Sequence, residues 1–204
     1  MLYIYLEMIK NLYYKTLQTL YYITSDEKVK RIINSINDNQ IESKMWLVEK
    51  LKEHLDMFSD SPKICVAAGW YGLTAHLLTL YTKEKIVSFD IDPECKIIGN
   101  KLYNSHNDIK FITKDINDFD PKEFDIIICT SCEHITDDEL NRFLDKRKSD
   151  SLVVLHSNNY YEIEEHINCK DSLQHFENSV NLNILNSYEK RIENRFDRYM
   201  IIGA

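Results

Sequence analysis

Glycine is scarce in this sequence: four residues in 204, of which Gly69 and Gly72 lie three positions apart. A disulfide scaffold is missing as well. The five cysteines (Cys65, Cys95, Cys129, Cys132, Cys169) are odd in number and follow no framework spacing, so the chain reads as reduced and cytoplasmic. No apolar run is long enough to span a bilayer, because the tyrosine-rich start MLYIYLEMIKNLYYKTLQTLYYITS carries Glu7, Lys10 and Lys15, and no small-residue cleavage site follows it. Long basic runs are lacking too. The longest is Lys146, Arg147, Lys148 in a chain of net charge −8, which argues against affinity built on neutralising phosphates. Neither an internal repeat nor a low-complexity linker is visible. What is present is 44% apolar residues, enough for one packed domain with an appendage.

The first sixty residues read as helical. Leu6, Ile9, Tyr13, Leu17 and Leu20 share one helical face, and Thr24 with Glu27 forms a capping box for a second helix through Ile33 and Ile36. A third helix, from about Asn39 to Phe58, places Ile41, Met45, Val48, Leu51, Leu55 and Phe58 on one side before SDSP stops it. Its predecessors' tyrosines (Tyr3, Tyr5, Tyr13, Tyr14, Tyr21, Tyr22) suit a core, with an oligomer interface as the alternative. After Pro62, short β-rich runs alternate with helical patterns: KICVA, KIVSFDI, IKFIT, FDIIICT and SLVVLHS, with helices over 71–81, 93–104 and 137–146. Thr136 with Glu139 is a second capping box. This alternation predicts an α/β fold with a doubly wound parallel sheet, and VNLNILNSYEKRIE with FDRYMIIGA adds a terminal hairpin whose last strand is antiparallel. The expected division is a helical N-terminal cap over 1–61 and an α/β domain over 62–204.

Ligands of such sheets bind beyond the carboxyl ends of the strands, so the turn AAGWYG after the first strand is the place to look. Its small residues leave room for a ligand against the main chain, beside the free N–H groups of a helix start. Asp90 ends the second strand 18 residues after Gly72, where a carboxylate can accept both hydroxyls of a ribose. Asp115, just past the third strand, can accept an adenine amine while Ile116 covers the ring.

Glycine turn, acid after strand two, acid after strand three and terminal hairpin together resemble a class I S-adenosylmethionine-dependent methyltransferase over residues 62–204. GWYG, CTSCEH and HSNNYYEIEEHINC are similar to a sparsely characterised phage and bacterial subgroup. The resemblance implies a Rossmann-like sheet of order 3-2-1-4-5-7-6 and S-adenosyl-L-methionine as cofactor. It also implies that Ala68, Gly69, Trp70, Tyr71 and Gly72 line the methionine and ribose side, with Asp90 on the ribose. Ile91 and Ile116 would then flank the adenine, Asp115 take its amine and Ser131 complete the set. The family pattern has three alternating glycines and an upstream acid, whereas Cys65 and Val66 stand in the acid's neighbourhood here.

Strand four ends in CTSCEHI, where this fold faces the transferred methyl. Glu133 and His134 can remove an acceptor's proton there, and Asn158 and Tyr160 after strand five can orient it. HINC places His166 and Cys169 three apart on an expected helix, so a zinc site with Cys132 and His134 can be drawn. No paired CxxC supports it, and no metal ligand is assigned. The expected activity is methyl transfer to a small polar molecule or a protein side chain. Alternatives are aminopropyl transfer on the same fold, a nucleic-acid methyltransferase, a dinucleotide-dependent dehydrogenase and a non-catalytic nucleotide-fold module. Nucleic acid is disfavoured because the proline-containing tetrapeptide of amino-methylating DNA enzymes and the proline–cysteine nucleophile of cytosine enzymes are both absent.

Overall fold

A computed structural model describes residues 15–22, 24–58, 61–103 and 107–204. Helix α1 covers residues 15–22, followed by α2 (Glu27–Asn34) and α3 (Asp38–Leu55). Then come β1 (Ile64–Ala67), α4 (Leu73–Leu78), β2 (Ile86–Asp90), α5 (Pro93–Tyr103), β3 (Ile109–Thr113) and β4 (Ile126–Cys129). The chain continues through α6 (Asp137–Leu144), β5 (Leu152–Asn158), α7 (Leu173–Ser179), β6 (Ile184–Ile192) and β7 (Phe196–Gly203).

The sheet order is 3-2-1-4-5-7-6, as the resemblance implied. Strands β3, β2, β1, β4 and β5 pair in parallel, and β7 runs antiparallel to both β5 and β6. Runs such as IIIC in β4 lack alternation because both faces are covered. Successive side chains of a strand point to opposite faces, and the core divides accordingly. Cys65, Ala67, Ile127, Cys129, Val153 and Leu155 meet Phe119, Phe143 and Phe176 on one side. Ile64, Val66, Ile126, Ile128, Leu152 and Val154 meet Trp46, Leu47, Val48 and Leu51 of α3 on the other.

Four details differ from the sequence expectation. Asp26, not Thr24, caps α2: its carboxylate accepts from the Lys28 and Val29 amides, while the Thr24 hydroxyl accepts from Asp26 N. In α3, Ile41 and Met45 are exposed and Ser43 and Lys44 are buried, because the stripe against the sheet runs through Leu47, Val48 and Leu51 one position round the helix. Helix α4 starts at Leu73, two residues later than expected, since Trp70 and Tyr71 belong to the turn. Residues 159–172 form turns rather than the helix expected for HINC. The capping box of α6 is present, Thr136 and Glu139 satisfying each other's backbone amides. Leu6, Ile9, Tyr3, Tyr5, Tyr13 and Tyr14 lie outside the described residues.

Candidate active site

The chain leaves β1 through residues 68–72, where Ala68 (φ 47°), Trp70 (φ 49°) and Gly72 (φ 99°) are left-handed. Every second residue of the turn is thus in the conformation that three alternating glycines would adopt without strain, and two of the three positions carry side chains here. Hydrogen bonds hold the turn: Trp70 N donates to Asp90 Oδ2 (2.9 Å), Gly69 N to the Phe89 carbonyl (3.0 Å) and Gly72 N to the Gly69 carbonyl (3.0 Å). The missing side chains are required by the protein itself. A Cβ on Gly69 would run into Ser88 Oγ, and one on Gly72 would sit 2.5 Å from the Phe111 ring. Packing within the protein is therefore enough to exclude side chains at both positions.

Asp90 has a structural task as well as a position at the end of β2. Its Oδ1 accepts from Asp92 N (3.0 Å) while Oδ2 takes the Trp70 amide, and a carboxylate still has lone pairs to offer two hydroxyls. Asp90 pairs in register with Thr113, two residues before Asp115, so the two acids share one edge of the sheet. Asp115 Oδ1 accepts from the Asn117 amide (2.8 Å) and opens a single 3-10 turn, Ile116–Asp118. Ile91 is 67% exposed beside Asp90. Ile116 instead leans on the phenylalanine-rich core, and Tyr71 is fully buried against Cys95 and Ile98 with Trp70 stacked on it (5.3 Å). Ser131 is half-buried at the start of the 3-10 turn Cys132–His134. Above this edge lies α2: Arg31 reaches Asp92 (3.1 Å) and Glu94 (3.4 Å) and stands over the Tyr71 ring, and Lys28 pairs with Glu94 (2.5 Å). The Glu94 amide, and then Arg31, hold the Asp92 carboxyl below its ordinary range.

At the ends of β4 and β5 a polar cluster is buried. Reversal of β7 sets Arg198 opposite Asn158, and Arg198 Nη1 donates to Glu133 Oε1 (3.1 Å), both side chains being almost fully enclosed. Glu133 Oε2, Arg198 Nε, Asn158 Nδ2, Ser157 Oγ and His156 Nε2 are buried without a hydrogen-bond partner. That is unusual for native interiors and marks a place where a polar ligand or water belongs. Lys44 of α3 is also enclosed; burial, with Arg198 next, lowers its pKa to about 7. Burial likewise keeps His156 neutral. Sequence reasoning missed Lys44 and Arg198. The available signal was a cation inside an apolar stripe and another inside an apolar strand.

Residues 159–172 close over this cluster. Asn168 N donates to the Glu133 carbonyl (2.9 Å) and its side-chain amide to the Ile135 carbonyl (2.6 Å), which brings His166 to His134 with ring centroids 4.7 Å apart. A carboxylate oxygen of Glu133 and a ring nitrogen of each histidine lie within 4.8 Å of one another. Tyr160 turns its hydroxyl towards Glu162 (2.8 Å) and Arg195 (2.6 Å) at the surface, while its carbonyl and the edge-to-face ring contact (6.1 Å) meet His166. The Cys132 thiol points to the Cys129 carbonyl within the core, away from His134. Cys169 Sγ lies 3.8 Å from His166 Nδ1 and donates to the Tyr160 carbonyl.

The donor set suits the adenosyl half of S-adenosylmethionine: two strand-end acids with free lone pairs and an exposed isoleucine between them. The methionine half has no carboxylate from β1, because Cys65 and Val66 point into the two opposite cores. The fold is the one that solved S-adenosylmethionine-dependent methyltransferases share. Residues 64–149 match the family described as "Methyltransferase domain", and no curated protein matches the sequence. Solved structures share the fold at low identity. Magnesium protoporphyrin IX methyltransferase from Synechocystis PCC 6803 with bound SAH is 11% identical at a TM-score of 0.63, over 94% of this chain and 99% of that one. The N-methyltransferase NodS from Bradyrhizobium japonicum WM9 is 13% identical at 0.62, over 83% and 97%. An S-adenosylmethionine-dependent methyltransferase from Clostridium acetobutylicum ATCC 824 is 14% identical at 0.60, over 94% and 98%. No described helix is long and apolar enough to cross a membrane.

Proposed function

We propose that this chain transfers a methyl group from S-adenosylmethionine to a small polar molecule or a protein side chain. The observation that carries this is the buried cluster of Glu133, Asn158 and Arg198 with unpaired polar atoms, at the strand ends beside the acids that suit a nucleoside. The donor supplies an electrophilic methyl on a sulfonium. The protein's task is to align an acceptor and deal with its proton. Asp90 and Asp115 would hold the sugar and base. Asn158 Nδ2 and Arg198 Nε would hold acceptor oxygens, and the unpaired Glu133 Oε2 would face the reacting group. A cluster this enclosed suits a single polar group better than a duplex, and the net charge of −8 agrees. The N-terminal residues would act as a cap, with α2 over the cofactor edge through Arg31 and α3 adding Lys44 to the acceptor side.

Calorimetric titration of the chain with S-adenosylhomocysteine tests this, the expected result being saturable binding at one site. The turn favours a second reading, a fold that holds no donor, because Trp70 fills a glycine position and the upstream acid is absent. No heat on well-folded protein would establish that second reading.

A further inference from the structure

We infer that Glu133, His134 and His166 form a binding site for a first-row divalent transition-metal ion, which holds the acceptor's reacting oxygen or sulfur beside the methyl donor. This rests on the methyltransferase reading for its purpose, though not for its geometry.

One carboxylate oxygen and two imidazole nitrogens come within 4.8 Å of each other, the span that three ligands around one ion occupy. The histidines are already set as ligands. His134 Nδ1 lies 2.9 Å from the Glu165 carbonyl and His166 Nδ1 2.6 Å from the Tyr160 carbonyl. A carbonyl only accepts, so each Nδ1 carries a proton, and in the neutral ring that leaves the lone pair on Nε2, the arrangement in which backbone carbonyls fix metal-ligating histidines. Glu133 supplies the independent observation. It is 4% exposed, Arg198 occupies its Oε1, and its Oε2 is buried with no partner. A charged oxygen left unpaired there costs free energy that a cation recovers.

The ligand set narrows the ion. Cys132 is turned into the core and the Cys169 thiol is spent on the Tyr160 carbonyl, which leaves two nitrogens and one oxygen. That set suits manganese, iron, cobalt or zinc better than soft copper(I), and three protein ligands leave positions open. Exposed His134 and half-buried His166 give the ion a path from solvent.

The same charges narrow the acceptor. Glu133 and Arg198 cancel, so a dication makes the cluster net positive, and an acceptor that becomes anionic restores balance. A hydroxyl or thiol meets that need and an amine does not. An acceptor hydroxyl on the ion gives its proton to water. Its oxygen lone pair then forms the bond to the methyl carbon as the carbon–sulfur bond breaks with its electrons left on sulfur. Methylated acceptor, S-adenosylhomocysteine and one proton result.

Titrating the full chain with cobalt(II) under visible spectroscopy, alongside calorimetry with S-adenosylhomocysteine, provides the test. The expected result is one cobalt per chain with ligand-field bands. His166→Ala and His134→Ala should each weaken it by about a hundredfold or more, since losing even an outer partner of a ligand costs ~10–100-fold. S-adenosylhomocysteine affinity should stay unchanged in both. His166→Gln, with circular dichroism of each variant, guards against a folding defect. Absence of cobalt bands in a folded chain that binds S-adenosylhomocysteine would overturn the metal site and leave the transferase reading standing. Cobalt binding indifferent to both histidines would overturn it too. Cobalt bound through the histidines without any S-adenosylhomocysteine binding would uphold the metal site and remove the transferase reading.

Discussion

Single atoms decide what the glycine turn tolerates. Ser88 Oγ is buried, has no partner, and occupies the space a Gly69 side chain would need. Gly69→Ala should therefore destabilise the fold by about 1–3 kcal/mol through overpacking. Ser88→Ala should be nearly neutral, because it removes an unsatisfied hydroxyl. The double variant should recover most of the loss in a urea-denaturation cycle; additive effects would mean that the two atoms do not compete. Asp90 tests the proposed cofactor edge. Asp90→Ala should weaken S-adenosylhomocysteine by at least about tenfold, the value of one lost charge-assisted hydrogen bond of ~1.5–3 kcal/mol. It should also lower the melting temperature, because the Trp70 and Asp92 amides lose their acceptor. Unchanged affinity would remove Asp90 from the ribose.

Elements explain how far the sequence could be read. The strands were legible because burial on both faces writes itself as uninterrupted apolar runs, and the start of α6 because a capping box needs only Thr136 and Glu139. Dihedral angles leave no such mark. That Ala68 and Trp70 are left-handed, and that α4 starts late as a result, follows from bonds to Asp90 and Phe89 made across the sheet. Asp90, Asp115, Glu133, His134 and Asn158 were readable as strand-end polar residues, whereas Arg198 needed the strand pairing to find its partner. The face of α3 was misread at Ile41 and Met45 because only tertiary contact decides which of two overlapping apolar stripes is covered. Two measurements follow at this scale. Ala68→Gly should stabilise the chain by about 1 kcal/mol, relieving a left-handed alanine. Leu47→Ala, at the fully buried centre of α3, should destabilise it by ~2–5 kcal/mol, and a smaller loss would show that α3 is loosely docked.

Over the whole molecule, buried titratable groups set an alkaline-leaning stability profile. Lys44 falls from an ordinary 10.5 to about 7 in the fold, so between those values the unfolded chain holds a proton that the native chain lacks, and stability rises with pH. His156, also lowered, adds a rise on the acid side, lost as pH falls below the ordinary histidine value of about 6.5. Burial raises the Cys65, Cys95 and Cys132 thiols, which reverses the slope above their unfolded value of about 8.5. Urea denaturation should thus give a maximum near pH ~8.5, and Lys44→Met should flatten the climb from neutrality towards it. A maximum at pH ~6 in both proteins would contradict this.

The reversal of β7 has one more consequence. A strand running against its neighbours brings its beginning, not its end, to the working rim, and with it the hairpin bend at Glu193 and Asn194, whose left-handed backbones make it tight. That bend is tied to the N-terminal helices by Asn39, which donates to Glu193. Lengthening it by a few residues would break that tie while leaving the pairing of β6 with β7 intact, so the bend can vary without any repacking of the interior.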